Sequence, residues 1–249
     1  SKKNESIHYK PIKDTLCFSY RLIDEIRAIE GLKDVARLVR DYTYFLLCRI
    51  FNVRPLIKYP TGVFSAEWLA STFNMDVVVL IRHPAAFAGT LKNLNWTYSF
   101  SELLEQPLLM RDHSYPFEEE IREYAKRKHD IIDQATLLWR LIYHMALKYR
   151  RSHKDWIFVR HEDLSRDPLS GFRNIFERLD LQFSERVKNI VRKHSNRANS
   201  ADPSDQASIR RNSKLNIYNW KNRLTRSEIE RIRADVKDIS DFFYSDEDW

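Results

Sequence analysis

Apolar residues recur along this chain with two different spacings, one typical of helices and one typical of strands. Between residues 32 and 50 they return every three or four positions, which predicts a helix with one buried face. The members of that face are Leu32, Val35, Val39, Tyr42, Leu46 and Ile50. Residues 65–74, 84–94, 118–149, 168–181, 184–195 and 225–238 have helical spacing as well. Thr225 and Glu228 form the capping-box pattern at the start of the last of these.

Three short apolar runs predict strands instead. They are "RPLIKYP" (54–60), "MDVVVLIR" (75–82) and "WIFVRHEDL" (156–164). The second is continuous and β-branched, which is typical of a parallel strand buried on both faces. Residues 1–18 look irregular, and the polar segment 196–208 predicts a loop. Strands that alternate with helices predict an α/β sandwich with a mostly parallel sheet.

Polar side chains stand where the predicted strands end. Lys58, Arg82 and the pair Arg160 and His161 each close an apolar run. In open parallel sheets, ligands bind outside the carboxyl ends of the strands. These side chains are therefore expected to converge on one mostly positive site, in which Arg82 faces a ligand.

The overall charge narrows the class of partner. The chain of 249 residues has a formal net charge of +7, which favours an anionic partner, although a solvated basic surface explains the same number. The basic residues are mixed with acids, and no aromatic RNA-binding motif occurs, so nucleic acid is disfavoured. No apolar run reaches the roughly 18 residues of a membrane span. The two cysteines make no metal or disulfide pattern, which predicts a reducing, cytoplasmic setting, and no metal site is predicted.

Glycine is scarce, with four scattered residues in the whole chain: Gly31, Gly62, Gly89 and Gly171. A glycine-rich phosphate loop needs several closely spaced glycines, so neither a Walker-type loop nor a GxGxxG turn is present in this sequence.

Four segments in order resemble the sulfotransferases that use 3′-phosphoadenosine 5′-phosphosulfate. "RPLIKYP" looks like that family's strand with a lysine near the transferred sulfonate, and "LIRHPAAFAGTLK" looks like its 3′-phosphate loop. "VRHEDLSRDP" is similar to the strand and turn beside the adenosine, and "RRNSKLNIYNWKNRLT" to the segment that closes over the phosphate. The resemblance runs from about Arg54 to the C-terminus. It implies a three-layer sandwich around a central sheet, the P-loop-NTPase-like sulfotransferase fold, in a single domain over residues 1–249.

The resemblance also implies roles for individual residues. Lys58 would stabilise charge on the departing phosphate, and the donor would be bound by a second set of residues. That set is Arg82, Thr90, His161, Arg210, Arg211, Ser213 and Lys214. The acceptor would be a hydroxyl of a carbohydrate or a small metabolite. A fork-shaped guanidinium such as that of Arg82 suits a phosphate with nearly two charges.

Each of these roles has a structural alternative. Arg82 could pair with a nearby acid while Thr90 bonds its own backbone, Lys58 could extend from a sheet edge into solvent, and residues 210–214 could form a solvated basic turn. Tyrosine is usual in the family where His161 stands, and the sequence of residues 210–214 departs from the family's version. Glu162 and Asp163 are expected to cap a turn.

Two parts of the family's pattern are missing. No strand followed by a glycine- and serine-rich turn for the 5′-phosphosulfate precedes Lys58, so we expect the chain to lack its natural N-terminal strand and loop. The general base is unassigned, with His83, His113 and Glu67 as candidates. The alternative function is a non-catalytic binding module or partner subunit with this fold. Nucleic-acid binding is a third hypothesis, which predicts steep salt dependence.

Overall fold

A computed structural model describes residues 2–59, 62–201 and 210–249 of the chain. The chain divides into two compact units, residues 1–60 and 61–249. The predicted single domain over residues 1–249 stays a prediction. Most of the described residues are helical, and the one sheet among them has two parallel strands. The α/β character of the chain is therefore present in a helix-rich form.

Residues 2–59 of the first unit contain three helices: α1 (Lys2–Leu16), α2 (Leu22–Arg27) and α3 (Leu32–Ile50). The predicted helix that begins at Leu32 is confirmed as α3, and Cys48 is buried as a small apolar residue. The prediction that residues 1–18 are irregular is wrong, because most of them form α1. Lysine and glutamate favour a helix even without a clean apolar stripe.

The predicted buried face of α3 is exposed. Its members range from 39% exposure at Tyr42 to 89% at Leu32. The spacing determines which side chains share a face, but burial also needs a second surface. Within the first unit α2 packs against α3, and with six residues it is too short to cover a helix of 19.

The strand predicted at residues 54–60 does not form in its described part, because residues 53–59 have no regular structure. Leu56 is 91% exposed. A strand forms only where its backbone pairs with a neighbour, and Pro55 lacks the N–H that such pairing requires. Lys58 therefore stands on an exposed irregular segment and not at the end of a strand.

The second unit builds its sheet from two strands, β1 (Val78–Ile81) and β2 (Ile157–Arg160). They pair in parallel, with Val78 opposite Ile157 and Ile81 opposite Arg160. The prediction that β1 is buried on both faces is wrong, since Val78 and Leu80 are 40% and 49% exposed. Successive side chains of a strand point to opposite faces, and here the core covers the face of Val79 and Ile81.

Most of the other described residues of the second unit are helical. The helices up to β2 are α4 (Ala66–Phe73), α5 (Pro84–Leu94), α6 (Ser101–Leu104), α7 (Pro107–Leu109), α8 (Glu118–Lys126) and α9 (Ile131–Ser152). Those after β2 are α10 (His161–Arg166), α11 (Pro168–Arg178), α12 (Glu185–His194), α13 (Ser213–Asn216), α14 (Trp220–Arg223) and α15 (Arg226–Ser240). Short 3-10 turns cover Gly62–Ser65, Tyr115–Phe117 and Asp246–Asp248, and a π turn covers Met110–Ser114. The predicted loop 196–208 lies partly outside the described residues.

The core of this unit forms where α5, α9 and α15 pack together. Trp139, at the middle of α9, is fully buried there, as expected of a core aromatic. The capping box of α15 is confirmed: the Thr225 hydroxyl accepts from the Glu228 N–H, and the Glu228 carboxylate accepts from the Thr225 N–H. Among the described residues, no helix is both long and apolar enough to cross a lipid bilayer.

Candidate functional site

The register of the sheet brings two predicted site residues together. Ile81 lies opposite Arg160, so Arg82 and His161 each stand one residue beyond the carboxyl ends of adjacent parallel strands. Helix α5 begins at Pro84, two residues after Arg82, and a helix N-terminus carries partial positive charge. The strand ends of this small sheet therefore form a positive corner.

The backbone of this corner is held by three hydrogen bonds, one of them buried and two partly buried. The Arg82 N–H donates to the Tyr143 hydroxyl at 2.9 Å, and the Arg82 carbonyl accepts from Trp139 Nε1 at 2.9 Å. The His83 N–H donates to Glu162 Oε1 at 3.0 Å. Two of these partners belong to α9 and one to α10, so the core of the unit determines the position of Arg82.

The Arg82 side chain points along α5 to the hydroxyl of Thr90. Arg82 Nη2 donates to Thr90 Oγ1 at 3.0 Å, and that hydroxyl donates its own proton to the Ala86 carbonyl at 3.0 Å. Thr90 thus does bond its own backbone, as the structural alternative proposes. The other half of that alternative is not found: no carboxylate lies within ion-pair distance of Arg82 in the described part of the chain. Arg82 Nε is buried and has no hydrogen-bond partner there.

Two effects lower the pKa of Arg82 from its ordinary value. Burial of the guanidinium is the larger one, and the positive charge of Arg223 acts in the same direction. Burial also lowers the pKa of His161, and the charge of Arg82 lowers it further. His161 is therefore expected to stay neutral near pH 7, when its ring can stack on a base or bond to it.

Arg223 is the residue that the sequence reasoning missed at this site. It ends α14, and its Nη1 lies 3.4 Å from Thr90 Oγ1. Arg223 lies in the segment "RRNSKLNIYNWKNRLT", but the family resemblance assigned donor binding to the residues at the start of that segment. Spacing could not distinguish Arg223 from the exposed Arg226 three residues later, because the difference lies in how α14 packs.

The other C-terminal candidates lie on a neighbouring turn. The Arg211 N–H donates to the His194 carbonyl, and the Ser213 hydroxyl donates to the Ser195 carbonyl, which ties the segment to the end of α12. Arg210 and Lys214 are exposed. Helix α13, which begins at Ser213, packs against α10, the helix of His161. Lys58 belongs to the first unit, so its role beside Arg82 stays a prediction.

The three candidates for the general base have other surroundings. His83 is 2% exposed, and its ring stacks on Trp220 and meets Tyr244 and Trp249 edge-on. Glu67 pairs with His153 at 3.1 Å. Burial lowers the pKa of His113, and the charge of Lys148 adds to that effect. The expectation that Glu162 caps the following turn is wrong, because this buried carboxylate accepts from the Tyr244 hydroxyl and the His83 N–H.

His83 gives the protein a specific acid sensitivity. Burial lowers its pKa to about 3, while an unfolded chain would titrate it near 6.5. Between these values the unfolded state binds the proton and the folded state does not, so stability falls as the pH falls through this window. In the wild-type chain, His83 should make the free energy of unfolding fall by up to about 1.4 kcal/mol for each pH unit. We expect His83→Phe to remove this dependence. Urea unfolding of both proteins between pH 7 and 5 measures this, and parallel pH profiles would contradict it.

Comparison of the chain with protein-family models, curated proteins and solved structures yields no match. No group of three histidine, cysteine or acidic side chains within residues 2–59, 62–201 and 210–249 is placed to hold a metal ion. The arrangement offers a buried guanidinium, a hydroxyl, a neutral imidazole and a helix N-terminus, which suit a phosphate ester joined to an aromatic base.

Proposed function

We propose that the chain is a sulfotransferase that uses 3′-phosphoadenosine 5′-phosphosulfate and transfers its sulfonyl group to a hydroxyl acceptor. The observation that carries the proposal is the juxtaposition of Arg82, Thr90 and His161 at the carboxyl ends of two paired parallel strands. The four segments that resemble the family lead to the same assignment. The finer architecture, a three-layer P-loop-like sandwich in which β1 and β2 are two strands, is part of this proposal.

In this proposal Arg82 and Thr90 hold the 3′-phosphate of the donor. A terminal phosphate has three strong acceptor oxygens and nearly two negative charges at pH 7. The buried Nε–H of Arg82 and its remaining Nη–H groups can donate to such oxygens with the geometry of a fork. His161, neutral and one residue beyond β2, would contact the adenine.

The chemical step exchanges one bond to sulfur for another. The acceptor oxygen bonds to the sulfur, the bond from sulfur to the phosphate oxygen breaks, and adenosine 3′,5′-bisphosphate leaves with the electron pair. The acceptor proton passes to a base that remains unassigned, and Lys58 keeps its predicted role of neutralising charge on the leaving phosphate. Positioning and charge neutralisation would supply most of the rate, as they do in phosphoryl transfer.

Calorimetric titration tests the nucleotide part of the proposal. We expect adenosine 3′,5′-bisphosphate to bind at least about 10-fold more tightly than adenosine 5′-monophosphate, since one charge-assisted bond contributes about 1.5–3 kcal/mol. The ionic strength must be the same in both titrations, because surface charge alone attracts anions at low salt. Equal affinities would contradict a 3′-phosphate site.

A transfer assay then distinguishes the enzyme from a binding module. The chain is incubated with a donor labelled in its sulfonyl group and with a panel of carbohydrates, phenols and alcohols. Label in an acceptor supports the transferase. Preference for the bisphosphate without transfer to any acceptor, even in a chain extended upstream, would favour the non-catalytic alternative.

A further inference from the structure

One buried carboxylate connects the two strand ends of the candidate site. Glu162 is 3% exposed and is the second residue of α10, so it directly follows His161. Its Oε1 accepts from the His83 N–H at 3.0 Å, and His83 directly follows Arg82. The same Oε1 lies 3.9 Å from His161 Nδ1. Glu162 thus links the chain just after Arg82 to the chain that carries His161.

The backbone of the sheet stops short of these two side chains. The last pair in the register of β1 and β2 is Ile81 with Arg160, and each chain then leaves the sheet to begin a helix, α5 or α10. Beyond that pair, the bond from the His83 N–H to Glu162 takes the place of the cross-strand bond that a further backbone pair would make. Because the bond is buried, its loss would leave a donor without water to replace the acceptor.

The C-terminal segment holds Glu162 from the other side. The hydroxyl of Tyr244, which is 5% exposed, donates to Glu162 Oε2 at 2.9 Å. Burial raises the pKa of Tyr244 and the charge of Glu162 raises it further, so the phenol keeps its proton and remains a donor. Arg160 Nη1 and Nη2 donate to the two carboxylate oxygens of Asp248 at 3.0 and 2.8 Å, which fixes this segment to the end of β2.

Glu162 also acts on both binding side chains through its charge. Burial lowers the pKa of Arg82 and that of His161, and the negative charge of Glu162 opposes this effect in both. Within the described residues, the hydrogen bonds of Glu162 come from His83 and Tyr244. The carboxylate therefore supports the Arg82 guanidinium without using its donors, which stay available to a ligand.

We propose that Glu162 is a positioning residue of the donor site: it holds Arg82 and His161 at the spacing that the nucleotide requires, and Tyr244 holds Glu162 in place. The inference rests on the proposed function. It gives the C-terminal segment a part in that function through Glu162, and not through contact with the nucleotide. If Glu162 acts by position, the reach of its side chain matters more for binding than its charge.

Three substitutions of Glu162 separate reach from charge in calorimetric titrations with adenosine 3′,5′-bisphosphate. Glu162→Ala loses both hydrogen bonds and should bind about 10-fold more weakly or worse. Glu162→Asp keeps the charge on a shorter side chain and should lose about as much, roughly 10-fold. Glu162→Gln can accept from the His83 N–H and donate to the Tyr244 hydroxyl, so at least about a third of the wild-type affinity should remain.

Tyr244→Phe tests the contact from the C-terminal segment. It keeps the ring and loses one hydroxyl, so bisphosphate binding should weaken about fivefold. Tyr149→Phe is the matched control, because Tyr149 is 1% exposed and belongs to a separate apolar cluster with Met145 and Trp156. It should change the affinity by less than about twofold. A loss as large as that of Tyr244→Phe would indicate general destabilisation and would overturn the inference.

Amide hydrogen exchange measures the positioning without a nucleotide. The His83 N–H is protected by its bond to Glu162, so nuclear magnetic resonance should show at least about 10-fold faster exchange in Glu162→Ala than in the wild type. In Glu162→Gln the rate should hardly change. Glu162→Asp replaces the alanine variant in this comparison if Glu162→Ala lacks a native circular-dichroism spectrum.

The possible results separate the two proposals. If the wild-type chain binds adenosine 3′,5′-bisphosphate and adenosine 5′-monophosphate equally, the proposed function fails, and the exchange of the His83 amide still decides whether Glu162 holds the strand ends. If the wild type prefers the bisphosphate and Glu162→Asp and Tyr244→Phe bind it as tightly, the inference is wrong and the proposed function stands. An equal loss in Glu162→Gln and Glu162→Asp would also overturn it, because the charge would then matter as much as the reach.

Discussion

Arg82→Ala is expected to remove the preference for adenosine 3′,5′-bisphosphate over adenosine 5′-monophosphate. The variant loses the buried guanidinium that donates to Thr90 and whose Nε–H has no acceptor among the described residues. Loss of two charge-assisted hydrogen bonds corresponds to about a 100-fold decrease in bisphosphate affinity or more. Binding of the monophosphate should hardly change, and calorimetry of both nucleotides measures the difference.

Two further variants show whether the loss is specific. Arg82→Lys keeps the charge but not the fork, so about a tenth of the wild-type affinity is expected to remain. Arg122→Ala removes an exposed arginine that pairs with Glu118, and it should leave both affinities unchanged. A bisphosphate preference that survives in Arg82→Ala would contradict the role of Arg82 and, with it, the proposed site.

The free energy of unfolding of an Arg82 variant should stay the same or rise, although its affinity for the nucleotide falls. The side chain is held in a low-dielectric corner, near Arg223 and without a carboxylate at ion-pair distance in the described residues. Replacing such a charge with an apolar side chain of similar size is often neutral or stabilising. Arg82→Met should therefore keep or raise the free energy of unfolding while it abolishes selective binding. A large loss of stability would indicate a structural role.

Trp139→Ala should lower the free energy of unfolding by about 3–5 kcal/mol. Trp139 is fully buried where α5, α9 and α15 meet, and its Nε1–H donates to the Arg82 carbonyl. The change leaves a large cavity and a buried carbonyl without its donor. Urea unfolding gives the loss of stability, and nucleotide titration at low temperature gives the effect on the site.

Matched variants separate the two contributions of Trp139. Trp139→Phe keeps most of the volume but loses the hydrogen bond, so it should cost about 1–3 kcal/mol and disturb the Arg82 backbone. Trp96 is 48% exposed, and Trp96→Ala should cost less than about 1 kcal/mol. A loss below about 1 kcal/mol in Trp139→Ala would show that Arg82 is positioned without this contact.

The spacing of apolar residues located α3, α5 and α15, but it missed α1 and did not show the break between α8 and α9. The bounds of α3 and α5 follow from the spacing of apolar residues and from Pro84, and the cap of α15 follows from Thr225 and Glu228. The exposure of the apolar face of α3 could not be predicted in this way, because burial depends on a partner surface. The strand predicted near Lys58 is missing for a similar reason, because a strand forms only where a neighbouring strand can pair with it.

The local order of residues by itself determined half of the candidate site. Arg82, Pro84 and Thr90 lie within nine positions, and a strand that runs into a helix places them along one helix axis. The order of residues also placed His161 after a strand. These assignments need only the rise of a helix and the rule that ligands bind at the carboxyl ends of parallel strands.

Only the tertiary structure decided the rest. The pairing of Ile81 with Arg160 places Arg82 beside His161, and the crossing of α14 over Gly89 brings Arg223 to Thr90 from 133 positions away. Packing also removed His83 from the candidates for the general base, because its ring is enclosed by three aromatic side chains. The physical reason is common to all three. The spacing of apolar residues predicts which residues share a helix or strand. Strand register, helix crossing and burial also depend on a second element, and local spacing gives no information about where that element lies.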